Sequence, residues 1–462
     1  MATQTRRSEI AGRLERLPIL PAHRKLFAIV SISYFFDLYD LIVASVIAIA
    51  LEAQYHLSSN ELSLVVAASF IGMFFGSLFF GRITDARGRR FGFFFNLLIY
   101  SVFSLLGALS VNAVMLIIMR FLAGFGVGGQ PPLADAYLSD MIPARKRGRY
   151  IMWAITLGVF CYPVVGFISR GVVNTNFIGI SGWRWPLLIG SLGGLIGWIF
   201  QRYLIESPRW LESVGKVEEA DQIVTKLEED AQSRGLPLTD PEPVFVQSSD
   251  NPWTVLFSRQ WRSRTLMIYV VNFFQSVGYF GFGTLVPTIL TAKGYTVTDS
   301  LLYTSITYVG YPLGGFTGAL LIDRIDRKAL VALGAFLMLI CGLAFGFSTS
   351  TAAIIIFGLL YTAVSQWMAD AIHALQAEIF PTAVRSTGAG SAYSLSRLST
   401  AILPFVMIPL LHASGSGAVF MAVAVCMAIV IVTVLRWAPK TTKVAVENIN
   451  EDRAAVAVRE VN

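Results

Sequence analysis

Seven ionisable side chains fall inside long apolar runs of this chain: Asp37, Asp40, Arg120, Asp135, Asp370, His373 and Arg397. An ionisable group at bilayer depth is costly to keep there, and such residues mark ion, proton or substrate pathways. Asp37 and Asp40 stand 10 and 13 residues past the start of the run at residue 27. That is roughly 15–20 Å along a helix, near the middle of a bilayer. Spaced i, i+3, they share one helix face. Two carboxylates so close in a poorly solvated place do not both ionise easily, so one is expected to hold a proton near neutral pH, as a proton-coupled carrier requires. The plainer alternative is that each pairs with an arginine and holds helices together.

Arg397 lies about 15 Å into its own run. A guanidinium there can receive a substrate carboxylate through two parallel, charge-assisted hydrogen bonds. Its alternative is permanent neutralisation by Asp37 or Asp40, and the two readings combine if substrate and aspartate compete for the same arginine. Arg120 is open between structural pairing and coupling, and stands with Arg397, Tyr39 and Gln275 among the candidate substrate-binding residues. It precedes Gly124-Phe-Gly126-Val-Gly128-Gly129, which superficially matches a dinucleotide loop. No strand precedes it and apolar helix surrounds it, so close helix packing is expected instead. Asp135 and His373 can relay protons as a pair, or can be two wetted residues near helix ends; Asp370 lies one turn before His373. Phe36, Tyr39, Gln275, Tyr279 and Trp367 are candidates to wall a small planar ligand, with Tyr39 and Gln275 preferred.

The elements that must position these residues follow from composition. The 462 residues are 55% hydrophobic and 14% charged, with mean hydropathy +0.63. A soluble domain carries about a quarter charged residues, so this chain lacks the polar groups to coat a water-facing surface. Its apolar residues come in runs of about twenty, the length that spans a bilayer core. The reading is an all-α membrane protein with twelve transmembrane helices, at 27–50, 62–83, 91–110, 113–138, 150–172, 184–204, 265–290, 301–322, 329–347, 352–378, 387–411 and 417–436. Residues 1–26 form an N-terminal segment, 205–264 a central loop with a helical stretch from Lys216 to Arg234, and 437–462 a tail.

Arg and Lys concentrate in the even-numbered gaps, such as Arg82–Arg90 and Arg145–Arg149, while the odd gaps hold only Arg170, Arg184 and Lys293. By the positive-inside rule both termini and the central loop are expected to be cytoplasmic, in a multi-pass cell (inner) membrane protein. Topology therefore accounts for the net charge of +7, and nucleic-acid binding is not expected. The basic N-terminal segment lacks the apolar core and cleavage site of a signal peptide. Cys161, Cys341 and Cys426 all lie in apolar runs, at spacings that fit neither a disulfide framework nor a metal site. No nucleophile–base constellation appears in the spans, so neither enzyme activity nor a cofactor is expected.

An internal repeat is the most informative pattern. Gly81-Arg-Ile-Thr-Asp85-Ala-Arg-Gly88-Arg89-Arg90 follows the second span, and Asp323-Arg-Ile-Asp326-Arg327-Lys328 follows the eighth. Asp140-Met-Ile-Pro143-Ala-Arg-Lys-Arg147 follows the fourth, and Glu378-Ile-Phe-Pro381-Thr-Ala-Val-Arg385 the tenth. Asp85 and Asp323, Asp140 and Glu378, Pro143 and Pro381, and Arg147 and Arg385 all lie 238 residues apart, as do Asp37 and Gln275, and Asp135 and His373. The chain reads as two pseudo-symmetric six-helix bundles, an architecture whose substrate site forms near the midplane. Asp85, Arg89, Asp140, Arg147, Glu378 and Arg385 are the expected gate, in which carboxylates meet helix N-termini and arginines in one state and release them in another.

The Gly-x-x-x-Asp-x-x-Gly-Arg-Arg loop resembles the signature of the major facilitator superfamily, although the second copy has Ala319 and Asp326 where the glycines would stand. The Asp/Glu-x-x-Pro-x-x-x-Arg pair and Glu206-Ser-Pro-Arg-Trp-Leu211 resemble the branch of sugar porters, organic-ion transporters and metabolite:proton symporters. The sugar porters' closing Pro-Glu-Thr-Lys-Gly is degraded here to Pro439-Lys-Thr-Thr-Lys, which argues against a sugar. Asp37-Leu-Tyr39-Asp40 is similar to the Asp-Gly-x-Asp motif of the aromatic acid:proton symporters, with Leu38 for Gly, and nicotinate carriers share much of the pattern. By that resemblance Arg120, Asp140, Arg385 and Arg397 stand where the family places functional charges.

The resulting expectation is a monomeric secondary transporter that imports a small organic, aromatic carboxylate with protons by alternating access. Its partners are that anion, protons and the lipid bilayer. Rival readings are a proton-driven exporter or an organic-cation or sugar carrier; short tails weigh against a transporter-like sensor.

Overall fold

A computed structural model describes residues 4–177, 179–241, 244–248, 252–322, 324–380 and 384–439. A backbone in hydrocarbon must satisfy its own polar groups, which makes long apolar runs helical. The helices in chain order are α1 (Glu9–Glu15), α2 (Pro21–Tyr55), α3 (Ser59–Arg87), α4 (Arg89–Ala108), α5 (Ala113–Gly128), α6 (Gln130–Met141), α7 (Ala144–Val159), α8 (Cys161–Val172), α9 (Arg184–Phe200), α10 (Pro208–Ser213), α11 (Val217–Ser233), α12 (Pro252–Leu256), α13 (Arg262–Ala292), α14 (Val297–Tyr308), α15 (Gly310–Leu321), α16 (Arg327–Phe347), α17 (Thr351–Ile379) and α18 (Arg385–Trp437).

Each expected span has a counterpart. Among the described residues, nine helical stretches are long and apolar enough to cross a membrane. α9 is a shorter apolar helix, and α14 with α15 makes a broken one. α18 contains two helices, separated at Gly415 by a φ of 74° that only glycine adopts freely. Those additions bring the set to twelve. The interruptions between α5 and α6, α7 and α8, and α14 and α15 share a cause. Pro131, Pro163 and Pro312 follow them, and a proline has no N–H to donate to the helix carbonyl four residues back, against which its ring also clashes. Polar side chains start several helices, as where Ser58 and Glu61 form a reciprocal capping box on α3 and Asn112 Oδ1 accepts the Met115 amide on α5.

The helices fall into two units, one of residues 6–246 with 296–305, the other of 247–295 and the described residues from Ile306 on. Within the first, α3 packs on α5 along a glycine seam. A Cβ at Gly72 or Gly76 would strike the carbonyls of Phe121 and Phe125, and a Cβ at Gly124 or Gly128 those of Ser69 and Met73. The glycine run of α5 is therefore a contact between helices that approach to backbone distance. At one end of this unit, Leu14, Leu17 and Leu20 pack with Tyr137, Leu138, Trp210 and Val224 in a buried cluster that joins α1 to α6, α10 and α11. In the second unit α13 packs against α18, and α16 against α17 and α18.

Candidate functional site

In the first unit α2 carries Tyr34, Asp37 and Asp40 three residues apart, so all three project from neighbouring turns of one face. Asp40 is 0% exposed and Arg120, from α5, 1%. The guanidinium grips the aspartate twice, with Nη1 donating to Oδ1 at 2.5 Å and Nη2 to the backbone carbonyl at 2.7 Å. Asp40 Oδ2 and Arg120 Nε have no hydrogen bond among the described residues. A buried pair of this kind offsets the desolvation of both ions, and removal of either partner strands the other. Asp37 is buried one turn earlier. Another turn back, the Tyr34 hydroxyl donates to Asp135 Oδ1 at 2.6 Å. Phe36 and Tyr39 lie against α9, where glycines at 193 and 190 make room for their rings, and the Tyr39 hydroxyl donates to the Pro186 carbonyl at 2.8 Å.

In the second unit Arg397, 3% exposed, projects from α18 between two aromatic faces, with Phe280 of α13 at 4.9 Å and Tyr393 at 4.5 Å from ring centroid to guanidinium carbon. The Tyr393 hydroxyl is bonded to Nη2. Such a cation is weakly hydrated and presents its donors in a plane. Gln275 is buried on α13, and its Oε1 has no hydrogen bond among the described residues. The Tyr279 hydroxyl donates to Gln366 Oε1, and Gln366 Nε2 to Asp370 Oδ1, both at 2.9 Å. Trp367 Nε1 donates to Thr317 Oγ1 at 2.8 Å, which fixes the indole against α15. His373 is exposed, with its ring 6.3 Å from that of Tyr393.

The duplicated frame exposes an asymmetry. Asp40 and Arg120 correspond, at the 238-residue offset, to Gly278 and Gly358. The carbonyl of Asp40 is capped by Arg120, whereas that of Gly278 accepts the hydroxyl of Tyr361 at 2.9 Å. The carbonyl keeps a donor in both units, and the charge pair exists in one.

At the arginine-rich end of the first unit, Arg89 Nε lies 3.4 Å from Asp140 Oδ2, which also accepts Ser207 Oγ at 2.8 Å. Arg147 Nη2 donates to Glu15 Oε1 at 3.0 Å, and Arg209 to the same oxygen at 2.5 Å. Glu15 Oε2 accepts the Ala144 amide at the start of α7. In the second unit Arg327 Nε stands 3.3 Å from Glu378. The side chains of Asp85 and Arg385 lie outside the described residues.

Glu206 supplies the carboxylate at a helix N-terminus, taking the amides of Arg89 at 2.9 Å and Arg90 at 3.2 Å at the start of α4. Burial pushes its carboxyl above the ordinary glutamate value, against the pull of those amides. Nothing in the residue types singled out Glu15 or Phe280, which act through tertiary contacts. Tyr393 was within reach, since it precedes Arg397 by one helical turn.

The Sugar (and other) transporter family matches residues 26–452. The chain is 33% identical over 395 residues to YyaJ of Bacillus subtilis, named as a metabolite transport protein, with 85% of this chain and 87% of that one covered. It is 29% identical over 422 residues to the niacin transporter NiaP of Acinetobacter baylyi, covering 89% and 93%. The xylose transporter XylE from E. coli, in a partially occluded inward-open conformation, superposes with TM-score 0.75 at 19% identity over 91% of this chain and 99% of that one. The chain therefore belongs to the Sugar (and other) transporter family within the major facilitator superfamily, and is a multi-pass membrane transporter and not an enzyme.

Proposed function

We propose that this transporter is a proton-coupled symporter that imports a small, aromatic organic carboxylate by alternating access. The observation that carries the reading is Arg397, a guanidinium 3% exposed and held between the rings of Phe280 and Tyr393. A cation so flanked suits a planar anion, whose carboxylate takes two parallel donors while its ring continues the aromatic stack. Gln275 adds a buried amide oxygen on the same unit. The relative named as a niacin transporter supports an aromatic carboxylate, and the likeness to a xylose:proton symporter supports coupling to protons.

Asp40, with Asp37 one turn away, is the proton-coupling group. In its ionised form it holds Arg120; a proton on Asp40 weakens that grip and lets α2 and α5 adjust. Outside, a proton adds to the Asp37/Asp40 pair and the anion meets Arg397; inside, at higher pH, the proton leaves to water and the anion follows. Arg120 acts in coupling, Tyr39 positions α2 on α9, and Asp135 with Tyr34 leads protons away from the pair, while His373 serves as an exit on the other unit. Asp85, Arg89, Asp140, Arg147, Glu378 and Arg385 act as the gate. The bundles are 27–204 and 265–436, and the positive-inside rule puts both termini and the 205–264 loop in the cytoplasm of a monomer in the inner membrane.

The test is uptake into proteoliposomes with acid outside, using labelled benzoate, hydroxybenzoate, nicotinate, a hexose and a quaternary amine against protein-free vesicles. Accumulation of one acid, abolished by a protonophore and in Asp40→Asn and Arg397→Ala, is expected. Uptake of the hexose or the amine alone would overturn the substrate class.

A further inference from the structure

Asp370 lies on α17, half-buried, and takes no part in the mechanism above. Its Oδ1 accepts Gln366 Nε2 at 2.9 Å, one turn earlier on the same helix, and Gln366, 2% exposed, accepts the Tyr279 hydroxyl of α13 at 2.9 Å. Asp370 Oδ2 has no hydrogen bond among the described residues. It points at α15 where Gly318 leaves space, since a Cβ there would stand 3.2 Å from Oδ2. No cation partners this carboxylate among the described residues. α15 brings Gly318 beside it and carries only Tyr311 as a titratable group; α16 packs on the helix through Gly334 and Met368, with its Arg327 beside Glu378. α13 presents Tyr279, and α18 presents Arg397 and Tyr393, which lie beside His373.

The chain of three side chains has a direction that depends on charge. An ionised Asp370 only accepts, so the Gln366 amide must turn its NH2 toward it and its oxygen toward Tyr279, which then donates. A protonated Asp370 has an O–H to give. Its best acceptor is Gln366 Oε1, and a half-turn of the amide then aims the NH2 at Tyr279, whose oxygen becomes the acceptor and whose O–H, kept intact, turns away from Gln366. The ring of Tyr279 packs at 4.9 Å on Phe280, the ring beneath Arg397.

We propose that Asp370 is a second proton-binding group of this transporter, and that Gln366 and Tyr279 convert its protonation state into a reversal of hydrogen-bond direction at α13, next to the Phe280–Arg397 stack. The proton comes from and returns to water, and only an O–H bond is made or broken. What that proton drives rests on the symport reading above; the titration of Asp370 does not.

The experiment has two readouts on full-length carrier. The first is ligand-free: infrared difference spectra against pH, following the carbonyl stretch of a protonated carboxylic acid. A titrating band is expected in the wild type and in Asp40→Asn, lost in Asp370→Asn, and displaced in Gln366→Met, which keeps the carboxyl but removes its amide partner. The second is nicotinate and benzoate affinity against pH, in which Asp370→Asn and Gln366→Met are expected to lose the same titration step while Asp40→Asn loses a different one. A band unchanged in Asp370→Asn overturns the proposal, as does a pH profile of Gln366→Met identical to the wild type. If neither acid binds while the band behaves as expected, the substrate reading fails and the proton site stands.

Discussion

Arg120 and Asp40, eighty residues apart in the chain, meet with the guanidinium on both the carboxylate and the backbone carbonyl of the same residue, at 2.5 and 2.7 Å. The double grip ties a side-chain charge to the course of α2. Loss of one partner strands the other and costs about 3–5 kcal/mol. Arg120→Ala is therefore expected to melt well below the wild type in detergent. The double variant Asp40→Asn/Arg120→Met should recover most of that loss while remaining inactive in uptake. A double variant no more stable than Arg120→Ala would mean that the pair is not the interaction being lost.

Arg397 should be intolerant of lysine. Lysine keeps the charge but loses the planar donors and the stacking on Phe280 and Tyr393. Charged hydrogen bonds are worth about 1.5–3 kcal/mol, so the affinity for a transported acid should fall roughly ten- to a hundredfold in Arg397→Lys. Tyr393→Phe, which removes one hydroxyl and keeps the ring, should fall by less. Equilibrium binding by intrinsic tryptophan fluorescence distinguishes the two, and equal losses would point to charge alone.

Glu206 offers a sign that can be checked. Its carboxyl is raised by burial, so the folded state favours the protonated form, and its stabilising contribution is present at acid pH and fades as pH rises through the raised value. At neutral pH Glu206→Gln keeps an acceptor for the Arg89 amide and sheds the buried charge, so its Tm should equal or exceed that of the wild type. Glu206→Ala uncaps α4 and should lose about 0.5–2 kcal/mol. A Gln variant as unstable as the Ala variant would show that the charge, rather than the cap, matters.

The opposite sign governs the N-terminal helix. Glu228 of α11 is pushed up by burial, but hydrogen bonds from Arg13 and Arg16 outweigh this and hold it below the ordinary value. That contribution is present above the ordinary value and is lost as pH falls through the lowered one. Hydrogen exchange over residues 9–17 should therefore accelerate on acidification, and in Glu228→Ala it should already be fast at neutral pH. Unchanged exchange in that variant would assign the docking to Leu14 and Leu17 alone.

Much of this architecture is written in local patterns. Runs of about twenty apolar residues mark spans, and the 238-residue offset marks the duplication. Tyr34, Asp37 and Asp40 follow one another at helical spacing, and the glycines of α5 announce a close neighbour. Partners drawn from distant segments are not written that way. Asp40 meets Arg120, eighty residues on, and α13 brings Phe280 to Arg397. Glu15, a single acid in a basic segment, takes its meaning from the start of α7 and from two arginines that arrive by separate routes. Spacing rules carry contacts within a helix, whereas the choice among several acids for one arginine is made by packing.

The second copy carries Gly278 and Gly358 where the first carries the Asp40–Arg120 pair, which bears on how such a chain can change. After a duplication each copy is free to shed what the other retains. Here one copy holds an ionic lock, and in the other a neutral tyrosine serves the equivalent carbonyl. Mutations at Gly278 or Gly358 therefore strand no partner charge, a step that costs about 3–5 kcal/mol at the matching positions of the first copy. Substitutions at those positions of the second copy leave the ionic lock of the first as it is.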